Sequence, residues 1–120
     1  KHSKSTLSHG TKLENMERFV SSLPVTIRFV SEGKACYRRD ADEIQMPPYE
    51  CFKTRMSYYS VLAHELIHLT GHSSRLDRNM KGKFGSDEYA AEELVAELGA
   101  AFLLTRLGLG ARARYHASTG

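Results

Sequence analysis

Apolar residues in this chain keep helical spacing in some stretches and alternate in others, and the switches between the two patterns mark its elements. Leu13, Met16, Phe19, Val20 and Leu23 are spaced for one face of a helix. Thr11 with Glu14 three positions on has the form of a capping box, and Pro24 ends the segment. Val25 to Val30 alternates and is β-branched, which predicts a strand. A turn at Glu32-Gly33-Lys34 leads to a second short strand from Ala35 to Arg38. Asp40-Ala41-Asp42 is another turn, and Glu43 to Met46 is a third strand that Pro47-Pro48 cannot continue. The three strands are expected to form a small antiparallel sheet. A helix follows from Arg55 to Thr70, closed by Gly71, then an aperiodic loop over 72–86. Ser86 caps a last helix from Asp87 to Leu107, ended by Gly108 and Gly110. No internal repeat is present, and the element order indicates an α+β domain.

Composition narrows the class. With 120 residues and a net charge of +3, the chain fits one domain, and 41% hydrophobic with 26% charged residues is ordinary for a globular protein. The pI near 9.0 is mildly basic, but no Lys/Arg block is dense enough to indicate nucleic acid, so the charge is read as a solvated surface. Cys36 and Cys51 are too few and too far apart for a zinc knuckle or a disulfide framework. They are expected to be free thiols in a reducing, cytoplasmic compartment. No stretch is apolar enough for a membrane helix, and no signal peptide opens the chain. Residues 1–10 read as a linker or flexible tail, 11–110 as the domain and 111–120 as a truncated C-terminal extension.

The chemistry centres on His64-Glu65-Leu66-Ile67-His68, an H-E-x-x-H sequence on a helix. Four residues make about one turn, so both imidazoles leave one face and can reach one ion. Glu65 lies about 100° round the helix, where it can contact a water without becoming a ligand. Tyr59, Leu62, Leu66 and Leu69 lie opposite the histidines, which separates a core face from a histidine face.

Tetrahedral zinc with an open position needs a third protein ligand. A third histidine after Gly71 would make a metzincin, but that position holds Ser74, and His72 comes too early behind a helix-breaking glycine. The last helix offers Glu88, Glu92, Glu93 and Glu97. Glu93 and Glu97 share a sector with Ala90, Ala101 and Leu104, where unpaired carboxylates are costly and a cation would offset the cost. Glu88 and Glu92 project elsewhere, near Gly99, and are expected to be solvated.

H-E-x-x-H followed by a glutamate on a separate helix resembles the gluzincin arrangement, and Glu93-Leu94-Val95-Ala96-Glu97 is similar to its E-x-x-A-[acid/Asn] element. Gln45-Met46-Pro47-Pro48, Tyr58-Tyr59, the run from His64 to His72, Ser74-Arg75-Leu76 and the run from Tyr89 to Leu98 together resemble the C-terminal zincin-like domain of ArdC-type antirestriction proteins, over roughly residues 12 to 110. The resemblance implies a zincin-like fold, a small three-stranded sheet packed on the H-E-x-x-H helix and a second glutamate-bearing helix. It implies Zn2+ held by His64, His68 and Glu93, with Glu97 supporting a histidine ligand from behind. It further implies an origin on plasmids, phages or other mobile elements, and DNA binding by a separate N-terminal domain to which nothing here corresponds.

The expected activity is metal-assisted amide hydrolysis with Glu65 as general base. The substrate is an unidentified peptide or protein, aligned on a sheet edge taken to be the Glu43 to Met46 strand. Tyr58, Tyr89, Tyr115 and His116 are the candidates for stabilising the oxyanion. The competing expectation is a zinc-stabilised module that binds DNA or a restriction protein without cutting peptides.

Overall fold

Thr54 and Ser86 start the two long helices by the same device. Each holds extended backbone and accepts a hydrogen bond on its side-chain oxygen from an N–H in the first turn, Ser57 for Thr54 and Tyr89 for Ser86. The computed structural model, which describes residues 9–109, orders the elements as α1 (His9–Ser21), β1 (Ile27–Phe29), β2 (Cys36–Arg38), β3 (Glu43–Met46), a 3-10 turn (Tyr49–Cys51), α2 (Arg55–Thr70) and α3 (Asp87–Arg106). The expected extension at 111–120, Gly110, Tyr115 and His116 lie outside the described residues. α1 begins at His9, inside the segment expected to be a tail, which places Thr11 within the helix rather than before it.

The sheet is mixed, in the order β1-β3-β2, and corrects the antiparallel expectation. A tight turn, with Asp42 at φ 55, folds β2 antiparallel onto β3. Only the other edge of β3 is then free for β1, and the chain direction there makes that pairing parallel, with Ile27 opposite Ile44. Hydrogen bonds from Ile44 N–H to Thr26 and from Val30 N–H to Met46 extend the pairing past both ends of β1. β3 is therefore the central strand, so it cannot be the free edge expected from the sequence.

The core lies between the sheet and the helices. Met16 of α1, Ile44 and Met46 of β3, Leu62 of α2 and Leu104 of α3 are fully buried. Burial alternates along β3, so Ile44 and Met46 share the inner face. Tyr58, a candidate for oxyanion stabilisation, is buried in an aromatic cluster with Tyr49, Phe52 and Tyr59. Its ring is committed to packing, which corrects that expectation.

Two glycines permit close approaches that position the site. A Cβ on Gly99 of α3 would stand 2.8 Å from Ile67 of α2, so this residue sets how near the two helices lie. Gly71 caps α2 with φ −84, an ordinary right-handed value. The side chains of Met80 and Arg78 occupy the space that a Cβ there would fill. The loop over 72–86 is thereby folded back against the end of α2.

A second tie fastens this loop to the sheet. Arg75 grips both carboxylate oxygens of Asp42 at 3.0 and 2.7 Å, and Tyr37 donates its hydroxyl to the same carboxylate at 2.7 Å. The Arg75 and Tyr37 hydrogen bonds lower the Asp42 pKa to about 2. Burial, together with the bond to Asp42, pushes the Tyr37 phenol up to about 12.

Candidate metal centre

α2 and α3 pack side by side, and the helix periodicity delivers the histidines of one to the carboxylates of the other. His64 and His68 stand one turn apart on α2, with ring centroids 4.8 Å apart and the rings at 77°. The Nε2 atoms of both face the carboxylate of Glu93 on α3, at 3.2 Å for His64 and 2.9 Å for His68. One donor atom from each of His64, His68 and Glu93 falls within 4.8 Å of the others, a group that could hold a metal ion. Two imidazoles and one carboxylate, with no lysine or arginine among them, suit a divalent ion of borderline softness and leave a coordination position open. The residues fit the metal that the H-E-x-x-H pattern leads one to expect.

Each histidine is also held from the opposite edge of its ring. Nδ1 of His64 lies 3.5 Å from Glu97, the carboxylate one turn beyond Glu93. Nδ1 of His68 lies 2.9 Å from Glu92, the residue preceding Glu93. The tautomer that donates Nδ1–H to these carboxylates is the one that directs the Nε2 lone pair of each ring at the shared centre. The sequence reading placed Glu92 in solvent; it is buried, and that expectation is corrected. A forked pair of hydrogen bonds from Arg78, both 2.9 Å, satisfies its carboxylate. Burial alone would raise the Glu92 pKa, but the bonds from Arg78 and His68 outweigh it and hold it below the usual range.

Arg78 was not anticipated at all. Besides Glu92 it donates to Ile67 O at 2.8 Å and to Thr70 Oγ1 at 2.9 Å, so one guanidinium satisfies a carbonyl near the C-terminal end of α2 and a ligand-supporting carboxylate together. Glu92 did leave a signal in the sequence. It heads the row Glu92, Ala96, Ala100 and Leu104, spaced four apart, and this row is the buried stripe of α3. Arg78 sits in an aperiodic loop and left none. His72 is turned to Ser74, its Nδ1 2.8 Å from the Ser74 hydroxyl, and belongs to a local turn.

Glu65 is buried at the floor of a cleft of about 490 Å³, beside the three converging residues. Burial is the main cause that pushes its pKa up to about 7, with Glu93 adding to the rise and His64 opposing it. Cys36 and Tyr37 line the cleft, so β2 runs along its wall as an edge strand. Cys36 of β2 and Tyr89 of α3 line the same cleft. Burial, then the nearby Glu65, pushes the Cys36 thiol up. Both Cys36 and Cys51 are free. Arg39 donates to Met80 O, bridging the end of β2 to the loop that forms the opposite wall.

The chain is similar to known proteins. The chain is 42% identical over 108 residues to the uncharacterized protein y4eC of Sinorhizobium fredii, covering 90% of this chain and 35% of that one. It is 40% identical over 106 residues to the DNA primase TraC of Escherichia coli, covering 88% of this chain and 10% of that one. Among solved structures, the Mn(II)-bound antirestriction protein ArdC of plasmid R388 superposes with a TM-score of 0.73 at 36% identity, covering 88% of this chain and 41% of that one. Metal-free ArdC superposes with a TM-score of 0.65 at 39% identity, covering 83% and 35%. The chain thus spans well under half the length of each of these relatives. Among the described residues, no helix is long and apolar enough to cross a membrane. The model of the zincin-like metallopeptidases matches residues 14–119, a span that takes in α2, α3 and every residue of the centre, and the chain belongs to that family.

Proposed function

We propose that this domain hydrolyses a peptide bond, that its resident ion is zinc, and that it works in the cytoplasm as part of an antirestriction protein carried by a mobile element. One observation carries the reading: three donor atoms converge from His64, His68 and Glu93, while Glu65 stands beside them in the cleft without joining them. A site that served structure alone has no use for that fourth group. When bound, the ion supplies Lewis acidity to a water and to the scissile carbonyl.

The chain's own residues do the rest. Glu65 accepts the water's proton on its carboxylate and passes it to the leaving nitrogen. Glu97 and Glu92 keep Nδ1 of His64 and of His68 protonated, so that Nε2 stays available. β2, not β3, is the edge along which a peptide adds as a further strand, because it is an outer strand whose residues line the cleft. Tyr89 is the surviving candidate among the described residues to stabilise the oxyanion, since it lines the cleft and Tyr58 does not.

A second reading, a metal-stabilised module that binds DNA or a restriction protein without cutting it, is favoured by Lys34 and Arg39, which bring positive charge to the same cleft. In either case DNA binding is assigned chiefly to a separate N-terminal domain of a longer protein. Glu65→Gln separates the two. On the peptidase reading the variant keeps its metal and loses both hydrolysis and antirestriction; undiminished antirestriction in the longer protein would sink it.

A further inference from the structure

α3 is apolar on two sides. Its inner row packs in the core or supports the metal centre. On the opposite side Leu94, Leu98 and Phe102 follow one another at intervals of four and are 59%, 53% and 73% exposed, with Val95 beside them at 39%. Ala91 and Thr105 complete this outer stripe. A surface helix normally carries charge on its outer face, and one that is apolar all round is ordinarily buried. Here the charges between the helix ends lie off the stripe: Glu92 is buried, and Glu93 and Glu97 are turned to the histidines. Three adjacent large side chains in water on one helix make a contiguous patch of the kind that marks an interface.

Charge at the ends of the stripe identifies the occupant. Glu88 and Arg106 lie on the same flank of α3, five turns apart, and both are exposed. Placing a second α3 antiparallel across the stripe brings Leu94 against Phe102 of the other copy and Leu98 near its own equivalent. In such a two-fold arrangement like flanks meet, so Glu88 of each copy faces Arg106 of the other at both ends. The acidic N-terminal turn also meets the negative end of the partner's dipole only through that arginine, which makes the pairing depend on Arg106. A parallel pairing would instead set opposite flanks against each other and leave Glu88 and Arg106 without these partners.

We propose that α3 is a self-association surface, and that two copies of this chain pair through antiparallel α3 helices centred near Leu98. Glu93 and the histidines are on the other side of α3 from the stripe, and Glu88 is the interface residue that also lines the cleft. The proposal is independent of whether the domain cuts peptides.

Sedimentation equilibrium of the full chain over a range of micromolar concentrations tests it. The wild type should associate to a dimer. Leu98→Glu should weaken association by at least about thirty-fold, as expected for a central interface residue. Glu88→Arg and Arg106→Glu should each weaken it, and the double reversal should restore it. Circular dichroism checks that every variant keeps its helices, and the charge variants, at exposed positions, stand in should Leu98→Glu unfold. A wild type that is monomeric throughout, or a dimer indifferent to Leu98→Glu, overturns the proposal. A double reversal that fails to restore association overturns the antiparallel pairing.

Discussion

Nδ1 of His68 lies 2.9 Å from Glu92 while Nε2 of the same ring lies 2.9 Å from Glu93, so two successive residues of α3 grip opposite edges of one imidazole. This is possible because successive helical positions diverge by about 100°, and the ring enters between them. Glu92 is in turn held by the fork of Arg78. Glu92→Gln should therefore weaken metal binding by about ten- to a hundredfold, the usual loss when a ligand's supporting partner is removed. Arg78→Gln should have a similar effect, and Arg78→Lys a smaller one, since an ammonium keeps the charge but not the fork. Competition against a chromophoric chelator measures all three; unchanged affinity in Glu92→Gln would show that His68 is oriented by packing alone.

Metal should stabilise the fold measurably. Binding to the native state alone contributes about 2.7 kcal/mol when free metal is a hundred times its dissociation constant. For a domain of this size that is a rise in Tm of about 10–20 °C. Addition of a chelator should reverse it, and Glu93→Gln should abolish it. Differential scanning calorimetry with and without Zn2+ is the measurement.

Glu65 makes the stability of the metal-free protein depend on pH. Its pKa is raised from 4.5 to about 7 in the folded chain, chiefly by burial. The folded state thus holds a proton that the unfolded state releases, and the associated stability is full below pH 4.5 and is lost as pH rises to about 7. The size is on the order of 3 kcal/mol. Glu65→Gln should flatten this part of the profile in urea titrations. Asp42 acts in the opposite sense: its pKa is lowered to about 2, so its contribution is present above pH 3.8 and disappears as pH falls towards 2.

The Asp42 clasp should affect stability without affecting the metal. Asp42→Asn keeps a residue type that tolerates φ 55 but weakens the fork from Arg75 and the bond from Tyr37. A loss of about 1–3 kcal/mol is expected, with metal content unaltered. Loss of metal in this variant would mean that the clasp reaches the centre through the loop that carries Arg78.

Gly99→Val should separate α2 from α3. The nearest Ile67 atom would be 2.8 Å from the new Cβ, and relief requires the helices to move apart. Overpacking of this kind costs about 1–3 kcal/mol, and the movement should also reduce metal affinity. Normal affinity would show that Ile67 yields instead.

Local information was sufficient for much of this protein. The cap at Ser86, the closing Gly71, the prolines and the two hydrophobic periods reflect constraints acting within a few residues, and α2, α3 and the three strands are recognisable from them. His64 and His68 are similarly legible because one turn of helix places both on one face. Tertiary structure decided what periodicity leaves open. It put β3 in the middle of the sheet, because a strand's neighbours depend on the path of the chain beyond it. It buried Tyr58 in the core and set Glu92 against His68, because a helical wheel gives the angle of a side chain but not which partner lies at that angle. Arg78 shows the limit most clearly: a residue from an aperiodic loop completes the support of His68, and only the folding of that loop onto α2 brings it there.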